Sequence, residues 1–213
     1  MESHLEILRG DAAAALAAAE ALAELGLERA MPFWRTAGEM TAGWARGHLH
    51  DAEQGAADLR KALAERAAQG ASVDAWLHTL LLAELEAKTL GAERALARIE
   101  EAMTLVSQLE NRCNLSFPHL LRGELLLKRS SPSPTAAEEA FQSAIAIARE
   151  QGARSWGLRA ALALAKLYQS TSRPVEAHAV LAPSLEGFAP TPEMPEIAEA
   201  HGLLGELSNP SVR

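Results

Sequence analysis

Few side chains in this 213-residue sequence could do chemistry, and none stands in a complete set. Cys113, within Glu110-Asn111-Arg112-Cys113-Asn114, has a neighbouring guanidinium that would favour the thiolate. A lone cysteine in a loop is otherwise incidental, it excludes an internal disulfide, and it suits a reducing compartment. His48, His50 and Asp51 form a compact metal-capable group. Two histidines separated by one residue converge only on extended backbone, and a first-row metal wants a third ligand placed by the fold. The plainer reading is a polar turn in which Asp51 caps the following helix. Glu84, Glu86, Glu100 and Glu101 read as solvated helix faces. The sequence has no phosphate-binding G-x-x-x-x-G-K-S/T loop, no G-x-S-x-G elbow and no H-E-x-x-H. No catalytic residue, metal set or cofactor is therefore assigned, and the chain reads as a binder rather than an enzyme.

The elements that would position a binding surface follow from composition. Hydrophobic residues make up 48% of the chain but aromatics only 4%. Alanine and leucine dominate, and they lose little rotamer freedom in a helix, whereas β-branched residues lose more. The class is all-α. Net charge is −8, with the acidic excess in residues 1–106. A nucleic-acid footprint needs clustered positive charge, and the surplus of bases between Arg112 and Arg173 reads as a solubilising face instead. The first ten residues lack the basic-then-apolar plan of a secretory signal. No apolar run approaches the roughly 18 residues that span a bilayer. These features predict a cytoplasmic protein without membrane contact.

A repeated pattern organises the chain: a small residue, an apolar or alanine residue four later, a small one three beyond, then an apolar one. The windows are Ala14, Ala18, Ala21, Leu22; Gly55, Leu59, Ala62, Leu63; Ala95, Ile99, Ala102, Met103; Ala137, Phe141, Ala144, Ile145; and Ala177, Leu181, Ser184, Leu185. Their first members are 41, 40, 42 and 40 residues apart. Residues four and seven apart share one helix face, so each window is a stripe against a neighbouring helix, and small members let the axes approach. Each window is the second helix of a hairpin. First helices open at Pro32-Phe33-Trp34, Val73-Asp74-Ala75-Trp76, Ser116-Phe117-Pro118 and Ser155-Trp156, where Pro, Ser and Asp suit a helix start. Trp34, Trp76 and Trp156 are expected to pack between neighbouring pairs. The hairpins fall near residues 1–26, 32–70, 73–110, 116–152 and 155–188, with a capping helix at 194–208 after a Pro-rich break. The first of them opens with a short helix near Glu2 to Arg9.

These residues resemble the tetratricopeptide repeat, whose first helix carries bulky, small and aromatic positions and whose second carries small, aromatic and small ones. The best copy is Leu164-Ala165, Tyr168, Ala177, Leu181 and Ser184-Leu185, with Pro174 opening the second helix. The family's usual period is 34, so these pairs are longer by about two turns. Leu120 through Leu127 and Ala137 through Gly152, AEEAFQSAIAIAREQG, are similar to the tails of bacterial regulators. Those proteins join a cyclase or LuxR-type DNA-binding domain to an ATPase module and a tetratricopeptide tail. The resemblance implies a right-handed superhelical stack of about five hairpins with a concave groove lined by first helices.

From that register the groove would hold Met40, Trp44, Leu80, Glu84, Leu120, Glu124, Arg159, Leu162, Lys166 and Gln169. Trp44 and Met40 would offer apolar contact, and the charged members would select the partner. The expected partner is a protein or peptide, including other domains of a longer parent chain. A small-molecule sensor and a homodimerisation module, the latter motivated by the Ala-rich first hairpin, are the alternatives.

Overall fold

In the five second helices of the computed structural model the N–H of the fifth residue, counting the cap as the first, donates to the carbonyl of the cap, as it does also from Arg35 to Met31 and from Gly157 to Ala153 in two first helices. The second-helix pairs are Ala15 to Asp11, Gly55 to Asp51, Ala95 to Gly91, Ala137 to Ser133 and Ala177 to Arg173. The second-helix caps stand 40, 40, 42 and 40 residues apart. Asp51 accepts from the N–H groups of Glu53 (2.8 Å) and Gln54 (3.1 Å), and Asp11 from that of Ala14 (2.9 Å), satisfying donors that the first helical turn leaves unpaired. Pro134 and Pro174 open the fourth and fifth second helices, where a missing N–H costs nothing.

The structure describes residues 6–7, 9–70, 75–107, 115–189, 191 and 194–208. The Val73-Asp74 helix start, Arg112 with Cys113, most of the short opening helix and Glu193 lie outside them. Among the described residues there are ten principal helices and no strand. They are α1 (Ala12–Glu28), α2 (Pro32–Leu49), α3 (Ala52–Ala68), α4 (Ala75–Thr89), α5 (Ala92–Ser107), α6 (Ser116–Lys128), α7 (Pro134–Glu150), α8 (Arg154–Ser170), α9 (Pro174–Leu185) and α10 (Pro195–Ser208).

The chain divides into two compact units, Met1–Glu110 and Asn111–Arg213. In the first, α1 packs on α2, α2 on α3, α3 on α4 and α4 on α5, and α2 also touches α4. In the second, α6 packs on α7, α7 on α8, α8 on α9 and α9 on α10, while α8 touches both α6 and α10. Within each unit, alternate helices thus form a row of first helices, and α10 occupies the place of one more.

Burial follows the caps. The residue four past each cap is small and buried, and the residue eight past it, Ala19, Leu59, Ile99, Phe141 or Leu181, is fully buried. The first stripe therefore runs through Ala15 and Ala19, one residue away from the expected Ala14 and Ala18, with Gly26 buried further along the helix. Ala21 is exposed. In a run as uniform as AAAALAAAEA no contrast in size sets the phase, so the Asp11 cap sets it instead. Opposite these stripes the first helices are small. A Cβ built on Gly43 would lie 2.8 Å from the Leu59 backbone nitrogen, and one on Gly123 would lie 2.4 Å from the Phe141 ring. These contacts set the close approach of each hairpin's two axes.

The turn closing α3 uses Gly70 (φ 70°) and that closing α7 uses Gly152 (φ 64°), the left-handed conformation that favours glycine. After α1 the same place is held by Ala30 at φ 52°, which carries a Cβ into that strained region.

Candidate functional site

The first-helix row of each unit carries most of the expected groove residues, and their surroundings decide what they can do. In the first unit Met40 and Leu80 are fully buried, and Trp44 lies with Met40 in a core that also holds Ile7 and Leu81. The Trp44 indole donates to Glu84 (Oε2, 2.9 Å). The same carboxylate oxygen lies 3.5 Å from His48 Nε2, whose ring stands 4.7 Å from that of Trp44. Lys88 Nζ reaches His48 Nδ1 at 3.3 Å, and Thr41 meets buried His78 at 3.4 Å. Trp44, Glu84, His48 and Lys88 are thus a polar ladder joining α2 to α4, with Glu84 and His48 still part-exposed.

The second unit repeats the device with different chemistry. Leu120 and Leu162 are buried. Arg159 Nε donates to Glu196 Oε1 at 2.7 Å, Lys166 Nζ pairs with Glu199 at 2.8 Å and Gln169 donates to Glu206 at 3.2 Å. All three tie α8 to α10. Trp156 is 8% exposed and packs on Phe117 of α6 with ring centroids 4.6 Å apart. Glu124 stands half-buried on α6.

The four aliphatic members of the expected groove are therefore core residues and give a partner no surface. Trp44 is spent largely on its own core. Glu84, Arg159, Lys166 and Gln169 hold neighbouring first helices together while keeping part of their surface in solvent. The physical reason is simple: a first helix flanked by others buries more than one stripe, so apolar positions beside the groove line turn inward.

A second set of polar contacts sits in one register column of the first helices. Arg46 pairs with Glu20 of α1 (2.8 Å) and approaches Asp58 of α3 (3.8 Å). Forty residues on, Glu86 is only 1% exposed and accepts from Arg60 of α3 (3.4 Å) and Arg98 of α5 (3.1 Å). It is not the solvated glutamate expected from composition. Tyr168 holds the same column in α8. Its phenol donates to Glu138 of α7 (2.8 Å), which Arg173 at the start of α9 also binds (2.6 Å). In each case one side chain joins the second helix before it to the one after it. The signal in the sequence was the shared spacing of Glu20, Arg60 and Gln142, each nine residues past its cap.

Charge pairing shifts these groups in the directions geometry demands. Hydrogen bonds from Arg173, then from Tyr168, hold the Glu138 carboxyl below the usual carboxylate range despite partial desolvation. Burial, then the Glu138 bond, pushes the Tyr168 phenol up. Glu86 raises the Arg98 guanidinium.

Asp51 is occupied as the α3 cap, and His50 closes α2 with its N–H on the Arg46 carbonyl (2.9 Å). Among the described residues no three His, Cys, Asp or Glu side chains are grouped to hold a metal, and no helix is long and apolar enough to cross a membrane. These features define an all-α protein of paired helices with a capped periodic order. No family model matches the chain, and no curated protein matches it.

Proposed function

We propose that this chain is a non-catalytic protein-interaction module, a right-handed stack of about five tetratricopeptide-like hairpins with α10 as its terminal cap, serving as the regulatory tail of a bacterial signalling protein. The observation that carries the reading is the recurrence of one capped second helix every 40 to 42 residues, combined with first-helix rows that touch in each unit. Arrays of that kind bind along the surface of their first helices. The recognition residues are then the part-exposed polar members of the rows, His48, Glu84, Glu124 and Lys166, rather than the buried aliphatic ones.

Photo-crosslinking residues placed at His48 and Lys166, with Lys61 and Glu139 on second helices as references, test this in lysate of the source organism. All four positions are exposed. Partner adducts confined to His48 and Lys166 support the row as the binding surface. Equal yields at all four positions, or none at any, overturn it. An antibody to the chain tests the tail: a native product several times larger than 22.7 kDa supports it, and one of that mass refutes it.

A further inference from the structure

In four of the second helices the residue fifteen past the cap is buried: Gly26 in α1, Arg66 in α3, Val106 in α5 and Ala148 in α7. Arg66 shows what that place touches. Its guanidinium lies 3.6 Å from the Phe33 ring centroid and donates to the Phe33 carbonyl and to Thr36 Oγ1. The last second helix leaves the place unfilled. α9 runs for 12 residues where the others run for 16 or 17, with Pro183 in its last turn. Beyond it Glu186 leaves helical geometry (φ −55°, ψ 129°) and Gly187 takes φ 76°. Phe188, fifteen residues past the Arg173 cap, is only half-buried.

A cavity of about 250 Å³ stands there, between the end of α7, the start of α8 and the end of α9. Leu158 lines it, and Leu158 and Thr36 each stand 15 residues ahead of the next second-helix cap. The lining divides by chemistry. Ile145, Ala148, Leu158 and Pro183 make an apolar floor, and the exposed side chains of Arg149 and Arg154 stand beside it. Arg154 is held in position: Nη2 donates to the Glu186 carbonyl at 2.6 Å, and the guanidinium lies 4.7 Å from the Phe188 ring centroid. The remaining N–H donors of its fork are unused. Arg149 has no hydrogen-bonding or ionic partner among the described residues. Glu186 is the one acid of the lining, so one positive charge is left over. The closing carbonyls of α7 do not oppose an anion, because those of Ile147, Ala148 and Arg149 already accept from the N–H groups of Gln151, Ala153 and Gly152.

We propose that this cavity binds a small monocarboxylate, its head between Arg149 and Arg154 and its short aliphatic chain on the floor of Ile145, Ala148 and Leu158. The planar guanidinium fork meets a carboxylate through two parallel hydrogen bonds. One net positive charge suits a monoanion better than a phosphate dianion, which would also leave the apolar floor uncovered. At about 30 Å³ for each water-sized group, the hollow takes roughly eight heavy atoms. The site shares no residue with the polar rows proposed above and binds whether or not they do.

The test uses the full chain and sodium hexanoate, a carboxylate of that size, read through amide NMR spectra of isotope-labelled protein. Saturable shifts centred on Gly152, Arg154 and Gly157 are expected. Affinity should fall roughly tenfold in Arg149→Gln, the loss of a hydrogen bond to a charged group, and should be unchanged in Arg94→Gln, which removes the same charge from α5. Arg149 is exposed, so its variant keeps the fold. A Cβ on Gly157 would meet only that of Ala148, at 3.5 Å, so Gly157→Leu can fill the hollow and should abolish binding without lowering the melting temperature. Absence of saturable shifts at these amides overturns the proposal, as does equal binding by the Arg149→Gln protein or equal binding of the uncharged alcohol hexanol. Inorganic phosphate that shifts these amides where hexanoate does not would make the cavity an oxyanion site and overturn the carboxylate.

Discussion

The pairing of Gly123 with Phe141 gives a quantitative check on how the hairpins are built. A Cβ at Gly123 would stand 2.4 to 2.9 Å from three atoms of the Phe141 ring, and that ring is fully buried, so it has nowhere to retreat. Overpacking of this kind costs about 1–3 kcal/mol, while replacing a mid-helix glycine by alanine returns about 1 kcal/mol of helix propensity. Gly123→Ala alone should therefore destabilise by about 1 kcal/mol. In a Phe141→Leu background the ring atoms that meet the new methyl are gone, and only the propensity gain of about 1 kcal/mol remains. The same substitution should then stabilise. Ala83 and Ala165 hold this column in the hairpins of Ile99 and Leu181, so alanine opposite an aliphatic residue is a combination the protein already uses. The expected coupling is about 2 kcal/mol, well above the ~0.5 kcal/mol scatter of independent sites. Urea titration of the four proteins of the cycle measures it, with midpoints of thermal unfolding moving about 4–8 °C per kcal/mol for a unit of roughly 100 residues. Additivity within ~0.5 kcal/mol would refute close approach at Gly123 as the determinant of this hairpin.

Ala30→Gly should stabilise by about 0.5–1 kcal/mol, because relief of the left-handed strain exceeds the added freedom of the unfolded chain, and a lower urea midpoint would contradict it. Glu86→Gln should cost about 2–3 kcal/mol in the same assay, since it leaves Arg98 and Arg60 facing a neutral group at a site 1% exposed, and a change below ~0.5 kcal/mol would show the cluster to be idle. Glu138 is held ionised by Arg173, so its stabilisation is complete above its unfolded value near ~4.3 and disappears as pH falls through the lower folded value. The difference in Tm between wild type and Arg173→Met should accordingly be full at neutral pH and shrink below about pH 4. A difference independent of pH would locate the effect of Arg173 in packing over Tyr168, whose ring it covers at 4.1 Å.

Where the sequence carried contrast, it was readable. Asp51, followed by a helix whose small and large positions alternate in size, marks both the cap and the phase of its stripe. The Ala-rich first helix shows the opposite case, since every face of Ala12–Ala19 except that of Leu16 looks alike and the frame was displaced by one residue. Polar residues were harder. Glu84 and Glu86 are separated by one residue and look equivalent in the sequence, yet one is part-exposed on the α2–α4 ladder and the other is buried between α3 and α5. Their difference depends on arginines 26 residues upstream and 12 downstream, which local periodicity does not register. The burial of the groove's aliphatic members escaped the sequence for a related reason. A bulky residue at Met40, Leu80, Leu120 or Leu162 satisfies the pattern of a binding surface and of a helix-to-helix contact alike, and burial chose the second.

The column of Arg46, Glu86 and Tyr168 shows why such residues are kept where apolar ones would pack. In the first unit its charges invert from one hairpin to the next: Arg46 faces Glu20 and Asp58, whereas Glu86 faces Arg60 and Arg98. Hairpins with nearly interchangeable stripes of alanine and leucine could exchange neighbours at small cost in burial. Setting α2 in the place of α4 would bring Arg46 against Arg60 and Arg98, and setting α4 in the place of α2 would bring Glu86 against Glu20 and Asp58. Like charges at a site as buried as Glu86 would lose their attraction and still bear the desolvation cost, a penalty of several kcal/mol. The buried pair contributes little net stability against a hydrophobic substitute, but it discriminates the correct order of hairpins from the shifted one. In the second unit Leu126 fills the α6 place in the column and Tyr168 the α8 place, so order there rests on shape, with Phe141 admitted only opposite Gly123.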